Sequence, residues 1–418
     1  MPDPAVRHTR SARPASRPGN TPATASAAAL LLLSLQAAAE TTPYYVGVGA
    51  GLTHVSNLYR LSDGSPQSSD WVGSASLRAG LDQVYGRQRL VLDAAVRQQR
   101  YRRNRTLDNS GYSLSGGLSW EAFEKLGGSF NGSTNRSLAA FNPGDRPSVA
   151  ERNVQTTDQL GAQVRYGLAG AWQLEGGVGW LRDRYSLASY RPYNYRQHSG
   201  NLGVNYRPRP GLKLGLGGRL TRGSYFERVV AGGIGEDLDR KDVTLSLDWE
   251  PGGASSYNAR LGHARTRYGV SAANDVSGMT GSVQWNWEPS PKLRLSTQLA
   301  RDAGQDSSSL FSGLIRTENN RSSTSVRVAA TYELSAKIAL NASVLNTHRD
   351  LRYTSNLGQA IDGSDSNRVL SMGASWTPWR NTQLGCQLSH EQRSSTSTQF
   401  SLPYNANAFG CNAQLILR

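Results

Sequence analysis

Basic side chains at alternating positions are the residues of this chain with the clearest capacity for chemistry. Each lies on the polar side of a segment in which apolar and polar residues alternate. Such a series would attract anions, because arginine holds carboxylates through paired donors. The series comprises Arg78, Arg97, Arg165, Lys213, Arg219, Arg260, Arg294 and Arg327. Asp93, Glu175 and Asp248 fall on the same side, so mutual pairing that only stiffens the structure is an equal alternative.

Known catalytic and metal-binding patterns do not occur in the sequence. The histidines that follow residue 40 are His54, His198, His263, His348 and His390. None of them stands in a Gly-x-Ser-x-Gly or His-Glu-x-x-His setting, and no Gly-x-x-x-x-Gly-Lys phosphate loop is present. We therefore predict that the chain is not an enzyme and needs no metal or cofactor. A triad assembled from distant strands would escape this search.

Period-two alternation of apolar and polar residues covers most of the chain. Leu212, Leu214 and Leu216, for example, alternate with Lys213 and two glycines. The polar side is too rich in Gly, Ser, Asn and Gln for a packed core, and indicates a water-filled lumen. The negative mean hydropathy agrees with this, because lipid-facing and lumen-facing residues cancel in any average.

An aromatic residue closes an alternating segment just before a short turn, at intervals of 38 to 46 residues. A repeat of this size indicates a recurring supersecondary unit, which here is a long β-hairpin. The recurring aromatics are Trp120, Tyr166, Tyr206, Trp249, Trp287, Tyr332 and Trp376. Aromatics at one height of a ring of hairpins are typical of the interfacial girdle of a transmembrane β-barrel.

The connections between the segments alternate between short and long. Short turns are predicted at 84–87, 121–126, 169–171, 208–211, 251–254, 289–292 and 378–381. Longer polar connections are predicted at 141–154, 227–239, 305–319, 351–366 and 394–405. Short periplasmic turns and long extracellular loops are the outer-membrane pattern, and the aromatics lie on the short-turn side.

The segments predict an all-β fold, a transmembrane antiparallel up-and-down barrel of about 18 strands, with 16 as the alternative count. A β-propeller or a soluble sandwich is the structural alternative. A propeller blade needs four short strands per repeat, whereas each repeat here has two segments long enough to cross a bilayer at a tilt.

Residues 1–39 have the features of an export signal. Four arginines precede a short apolar run from Ala27 to Leu35, and three alanines precede Glu40. A membrane anchor is the alternative, but the run is well short of the roughly 20 residues that a spanning helix needs. We predict a signal peptide over 1–39 and an outer-membrane barrel over 40–418, with no room for a plug domain between them.

The charge of the chain is strongly basic, with 46 Lys and Arg against 31 Asp and Glu. Without the four arginines and one aspartate of the predicted leader, 42 basic and 30 acidic residues remain, a net charge of +12. An export signal argues against nucleic acid as a partner. Outer-membrane lipid, anionic lipopolysaccharide or an acidic glycan suits this charge better.

Two cysteines, Cys386 and Cys411, fall on the same side of the last two predicted strands and almost opposite each other. An exported protein permits a disulfide. Both residues would also serve as small apolar side chains facing lipid, and we favour this unpaired interpretation.

Residues 45–120 carry a resemblance to a known family. The matching residues are the run Tyr45–Leu61, the run Gly80–Arg89, then Tyr101, Asn104, Leu107-Asp108, and the run Gly111–Trp120. Together they resemble the EpsL-type outer-membrane proteins of exopolysaccharide biosynthesis operons, which are associated with exosortases. The match covers about a fifth of the chain. It implies a role in polysaccharide export and supplies no catalytic residues.

These observations combine into an expected function in the bacterial outer membrane. The resemblance implies a part in exopolysaccharide export, by passive passage or by anchoring, with periplasmic export components as further partners. The arginines predicted to line the lumen favour a passive channel for an acidic polysaccharide. A general anion-selective porin is the alternative, and a barrel enzyme acting on lipid or glycan is the third.

Overall fold

The computed structural model describes residues 42–418 except 144–147, 231–232, 271–274, 304–319, 355–359 and 397–400. The predicted signal peptide at 1–39 lies outside these residues, as does the predicted long connection at 305–319. Both remain predictions.

Eighteen strands form one antiparallel sheet in which each strand pairs with the next along the chain. They are β1 Tyr44–Val55, β2 Asp70–Tyr85, β3 Gln88–Tyr101, β4 Asn109–Ala122, β5 Leu126–Leu138, β6 Val154–Tyr166, β7 Trp172–Tyr185, β8 Tyr195–Arg209, β9 Leu212–Val230, β10 Gly233–Trp249, β11 Ser255–Tyr268, β12 Val276–Ser290, β13 Leu293–Asp302, β14 Asn320–Ser335, β15 Ile338–Thr354, β16 Ala360–Trp379, β17 Thr382–Ser395 and β18 Tyr404–Leu417. Pairing of β1 with β18, from Val46 with Leu417 to Val55 with Ala408, closes the sheet. The predicted closed barrel of 18 strands is therefore confirmed.

Helical structure in the described residues is limited to two short 3₁₀ helices in the connections, Arg105–Leu107 and Ala188–Tyr193. No helix in these ranges is long and apolar enough to cross a bilayer.

Alternation of the side chains gives the barrel an apolar outside and a polar inside. Outward residues such as Leu77, Leu160 and Leu216 are more than half exposed to the surroundings of the barrel. In a membrane this surface contacts lipid, because each backbone polar group along the strands is satisfied by a neighbouring strand.

The turns after even-numbered strands are short because their sequences interrupt the hydrogen-bond ladder between the two strands that they join. Register shifts follow Tyr206, Trp287 and Trp376, and each shift contains a proline, which has no N–H to donate. Two-residue turns at 86–87 and 210–211 use Gly86 and Gly211, whose φ angles of +59° and +77° favour glycine.

Two predicted long loops are wrong. At 227–239, β9 continues to Val230 and β10 begins at Gly233, and at 351–366, β15 continues to Thr354 and β16 begins at Ala360. A strand that extends beyond the bilayer needs no apolar residues at alternate positions. Its polar sequence therefore looks like a loop although its backbone remains in the ladder.

Candidate functional site

All eight predicted basic residues lie on the inward face of the barrel. Four of them, Arg165, Lys213, Arg219 and Arg260, line one lumen cavity of about 510 Å³. Cross-strand partners share a face of the sheet, so the register extends this assignment around the barrel. On this basis Arg78, Arg97, Arg294 and Arg327 also point inward, on other parts of the wall.

The lumen cavity lies against β6 to β13 and is lined mainly by polar side chains. Sequence reasoning missed several of its charged residues, namely Arg207, Arg240, Asp242 and Asp302. Arg240 and Asp242 have the same parity as Asp248 in β10, so extending the alternation along that strand would have found them. Arg207 adjoins a predicted turn, where alternation gives no signal.

Some of the lumen charges are neutralised by direct pairing. Lys213 Nζ lies 2.6 Å from Asp248 Oδ2. The buried Arg240 guanidinium pairs with Asp242 at 2.8 Å and with Asp302 at 3.1 Å. Arg294 forms an ion pair with Glu333 on the neighbouring strand β14. For these groups the alternative interpretation applies, in which ion pairs between lumen charges stiffen the barrel wall.

Other lumen arginines have no such partner. Within the described ranges, no carboxylate oxygen lies within 4.0 Å of Arg165 or Arg260. Glu175 is opposite Arg165 in the register, but its Oε2 accepts a hydrogen bond from Asn205 Nδ2 at 2.9 Å. The Arg165 Nε is buried without a hydrogen-bond partner. Uncompensated positive charge is therefore concentrated on this side of the lumen.

The β5–β6 connection enters the extracellular end of the lumen. Its carbonyl groups at Asn142 and Pro143 accept hydrogen bonds from inward-facing arginines of β15 and β17. Arg393 Nη1 donates to Asn142 O at 2.9 Å, and Arg349 Nη1 donates to Pro143 O at 3.2 Å. Asn142 Nδ2 in turn donates to Arg60 O at 2.9 Å. Because these strands lie far from β5 around the barrel, the segment at Asn142 and Pro143 crosses and narrows the lumen.

Aromatic residues fill the same end of the barrel. The sequence offers Tyr101, Tyr185, Tyr190, Tyr193 and Tyr195, on or near loops, as candidate aromatic faces for passing sugar rings, with Tyr-rich loops that have no sugar role as the alternative. Four of them, Tyr101, Tyr185, Tyr190 and Tyr195, are only 1 to 7% exposed, and Tyr193 packs against the cluster that contains Tyr185 and Tyr190. These four rings belong to packed clusters, so they do not present open faces to the lumen. Beside one cluster the Tyr59 hydroxyl donates to Asn104 Oδ1 at 3.0 Å, and desolvation, with a smaller effect of the Asp70 charge, raises the Tyr59 pKa.

The seven recurring aromatics lie at the short-turn ends of their strands and, by the register, point outward. These residues are Trp120, Tyr166, Tyr206, Trp249, Trp287, Tyr332 and Trp376. Several stack with neighbouring rings, as Trp249 does with Tyr257 at a centroid distance of 5.3 Å. Trp120 packs over Gly128, where a Cβ would lie 2.6 Å from the indole ring. Their role as an interfacial girdle stays a prediction.

The two cysteines are bonded to each other. Cys386 of β17 and Cys411 of β18 are direct cross-strand partners with Cα atoms 4.1 Å apart, and they form a disulfide. The unpaired interpretation is therefore wrong. The predicted juxtaposition was sufficient for a bond, because directly opposed positions of an antiparallel pair bring the two Cβ atoms close together.

Comparison with known proteins adds information at the level of the fold. No family model and no curated protein matches the chain. Among solved structures, the outer-membrane protein OpdK from Pseudomonas aeruginosa is 14% identical with a TM-score of 0.50, over 90% of this chain and 99% of that chain. OccK2 (OpdF) from the same organism is 16% identical with a TM-score of 0.50, over 90% and 98% of the two chains.

These neighbours overturn the resemblance suggested by residues 45–120. They are OccK/OpdK outer-membrane porins, not EpsL-type polysaccharide export proteins. The short runs that suggested the EpsL type lie in β1 to β4, where alternating glycines and small residues satisfy the geometry of many barrels. The expected export of exopolysaccharide depended on that resemblance and is withdrawn with it. The closed 18-strand barrel places the protein in the bacterial outer membrane.

Proposed function

We propose that this protein is a porin-like, non-enzymatic channel through which small anionic solutes cross the outer membrane. The observation that carries the proposal is the uncompensated charge of Arg165 and Arg260 in the lumen cavity. In a narrow pore with walls of low dielectric constant, a fixed positive surplus raises the local concentration of anions and lowers that of cations.

The narrowed extracellular end supports a small solute over a polymer. The Asn142 and Pro143 carbonyls occupy part of the lumen through their bonds to Arg349 and Arg393. A small carboxylate could pass beside this segment and then meet the arginine wall below it, where paired N–H donors suit its two oxygens. A neighbouring structure with a TM-score of 0.50 is that of OpdK with vanillate, a small carboxylate.

The test is ion selectivity in a planar bilayer under a KCl gradient. The R165Q/R260Q variant removes both uncompensated charges while retaining polar side chains of similar length. We expect its chloride-over-potassium permeability ratio to fall by at least about fivefold, since two charges are removed and each contributes about 1 kcal/mol at 4 Å in water.

The matched control is R301Q on β13. Arg301 lies opposite Gly281 and Thr324 of the neighbouring strands, on the outward face of the barrel. Its replacement therefore removes no contact in the lumen. Its selectivity should equal that of the wild type. An R165Q/R260Q channel that conducts with unchanged selectivity would contradict the proposal.

A further inference from the structure

The outside of the barrel has an apolar groove across strands β3 to β9. Its volume is about 930 Å³. The walls include Phe130, Leu160, Val178 and Leu220, each more than half exposed on the outward face. The groove exists because glycines stand where the neighbouring positions carry large side chains. The floor glycines are Gly116, Gly132 and Gly200.

The groove runs along the hydrogen-bonding direction and ends toward the extracellular side. Its last members on β7, β8 and β9 are Trp180, His198 and Arg222, which are successive cross-strand partners. Six steps between adjacent strands at about 4.8 Å each give it a length of roughly 29 Å. It therefore has the length and the surface chemistry to hold an acyl chain against the barrel.

Two arginines face each other just beyond this end of the groove. Arg182 of β7 and Arg196 of β8 are direct cross-strand partners, and both guanidinium groups lie over the Phe226 ring, at 5.8 and 5.7 Å from its centroid. Like charges directly opposite each other in a sheet are destabilising. Along the described chain, neither has a carboxylate within 4.0 Å.

The adjacent outward arginines differ in this respect. Arg184 pairs with Asp158 at 3.2 Å, and Arg222 pairs with Asp239 at 3.3 Å. The charge that could be balanced by a bound anion is therefore localised at Arg182 and Arg196. Phosphate suits two adjacent guanidinium groups because each presents parallel N–H donors.

The position of the pair identifies the leaflet. Arg182 lies three residues before the end of β7, and the β7–β8 connection at 186–194 is on the long-connection side, which faces outward from the cell. The outer leaflet of this membrane is built from a phosphorylated glycolipid with several acyl chains. Such a molecule combines, in one ligand, the phosphate and the hydrocarbon chain that the arginine pair and the groove would bind.

We propose that the groove and the Arg182–Arg196 pair form a binding site for the phosphorylated glycolipid of the outer leaflet. One acyl chain lies between Phe130, Leu160 and Val178, and a phosphate group bridges the two guanidinium groups. The site is on the lipid-facing surface, so it is independent of the channel activity proposed for the lumen.

Native mass spectrometry of the intact barrel in uncharged detergent tests the site. The probe is bisphosphorylated, hexa-acylated lipid A, compared with the same lipid after removal of its phosphates. We expect a single bound molecule of the phosphorylated form, and a loss of affinity on the order of 30-fold in R182Q/R196Q. The matched R301Q/R368Q variant removes two outward arginines from β13 and β16 and should bind as the wild type does.

The groove has its own variant. A Cβ at Gly200 would lie 4.0 Å from the nearest neighbouring atom, Gly177 O, so a side chain at this position begins in open space and Gly200→Leu fills the floor of the groove. It should weaken lipid A binding, whereas Ala374→Leu on β16 should not. The proposal would be overturned if R182Q/R196Q and R301Q/R368Q lost the same affinity for lipid A, or if the dephosphorylated lipid bound as tightly as the phosphorylated one. It would also be overturned if the groove proved to hold a second copy of the barrel, seen as a dimer that G200L dissociates. Ion selectivity of R182Q/R196Q should be unchanged, which separates this result from the fate of the channel proposal.

Discussion

Charge pairing divides the basic residues of the lumen into two groups. Lys213 and Arg294 have carboxylate partners, whereas Arg165 and Arg260 have none among the described residues. The parity of each residue along its strand is local information, so the sequence predicts correctly which side chains face inward. Pairing depends on the register between strands and on competing donors, such as the Asn205 amide that donates to Glu175, and neither can be obtained from alternation alone.

Breaking the Lys213–Asp248 ion pair should raise the preference for anions, whereas removing the charges of Arg165 and Arg260 should lower it. Replacing Asp248 by Asn removes the carboxylate 2.6 Å from Lys213 Nζ and leaves the lysine charge uncompensated. We expect the chloride-over-potassium permeability ratio to rise, by at most about fivefold, because the wall gains one net positive charge. Reversal potentials in planar bilayers measure the change.

The control for this variant is Asp239→Asn. Asp239 pairs with Arg222 on the outward face, 3.3 Å away, so the same chemical change there leaves the lumen as it was. A fall in anion preference for Asp248→Asn would show that lumen pairing does not govern selectivity.

At the scale of elements, the β5–β6 connection is the segment that the sequence describes least well. Its length and polarity predict an extracellular loop, and the structure shows Asn142 and Pro143 of this connection inside the lumen, hydrogen-bonded to strands that are distant in sequence. Alternation and turn residues report only on neighbouring strands. Contacts across the lumen need the three-dimensional path of the chain.

Removal of one anchor should widen the channel. Arg393 Nη1 donates to Asn142 O at 2.9 Å and to Asn142 Oδ1 at 3.1 Å. Hydrogen bonds from a charged donor contribute about 1.5–3 kcal/mol, so Arg393→Ala should release the segment around Asn142 for part of the time. We expect a larger and more variable single-channel conductance.

Arg368→Ala is the matched change for this experiment, because Arg368 is an outward-facing residue of the neighbouring strand β16. The heat-dependent electrophoretic mobility of both variants shows whether the barrel is folded. A folded Arg393→Ala channel with wild-type conductance would mean that Arg393 does not hold the segment in the lumen.

At the scale of the whole molecule, features that repeat along the sequence could be predicted, whereas features that occur only once could not. Eighteen strands and the short-turn rim follow from patterns that repeat along the chain. The disulfide between Cys386 and Cys411 occurs once, and opposed positions alone allow both the bonded and the free state. The brief similarity in β1 to β4 misled for a related reason, since it covers too little of the barrel to identify its relatives.

The net positive lumen also predicts a dependence on ionic strength. Mobile ions screen fixed charges over about 10 Å at 0.1 M salt and about 3 Å at 1 M. The preference for chloride should therefore be strong at 0.1 M and decline toward the ratio of free diffusion at 1 M. Reversal potentials at a constant concentration ratio test this. A preference that does not change with salt would point to steric selection.

The pairing of β1 with β18 has a consequence for biogenesis. The closing ladder joins Val46 to Leu417, almost the full length of the chain apart, so no shorter part of the protein can complete it. Until β18 arrives, the growing sheet has two unpaired edges, each able to accept a strand from another polypeptide. Closure also carries the largest loop entropy of any step. Pairing of β18 with β1 therefore determines whether the sheet closes into a barrel or keeps open edges through which it can aggregate.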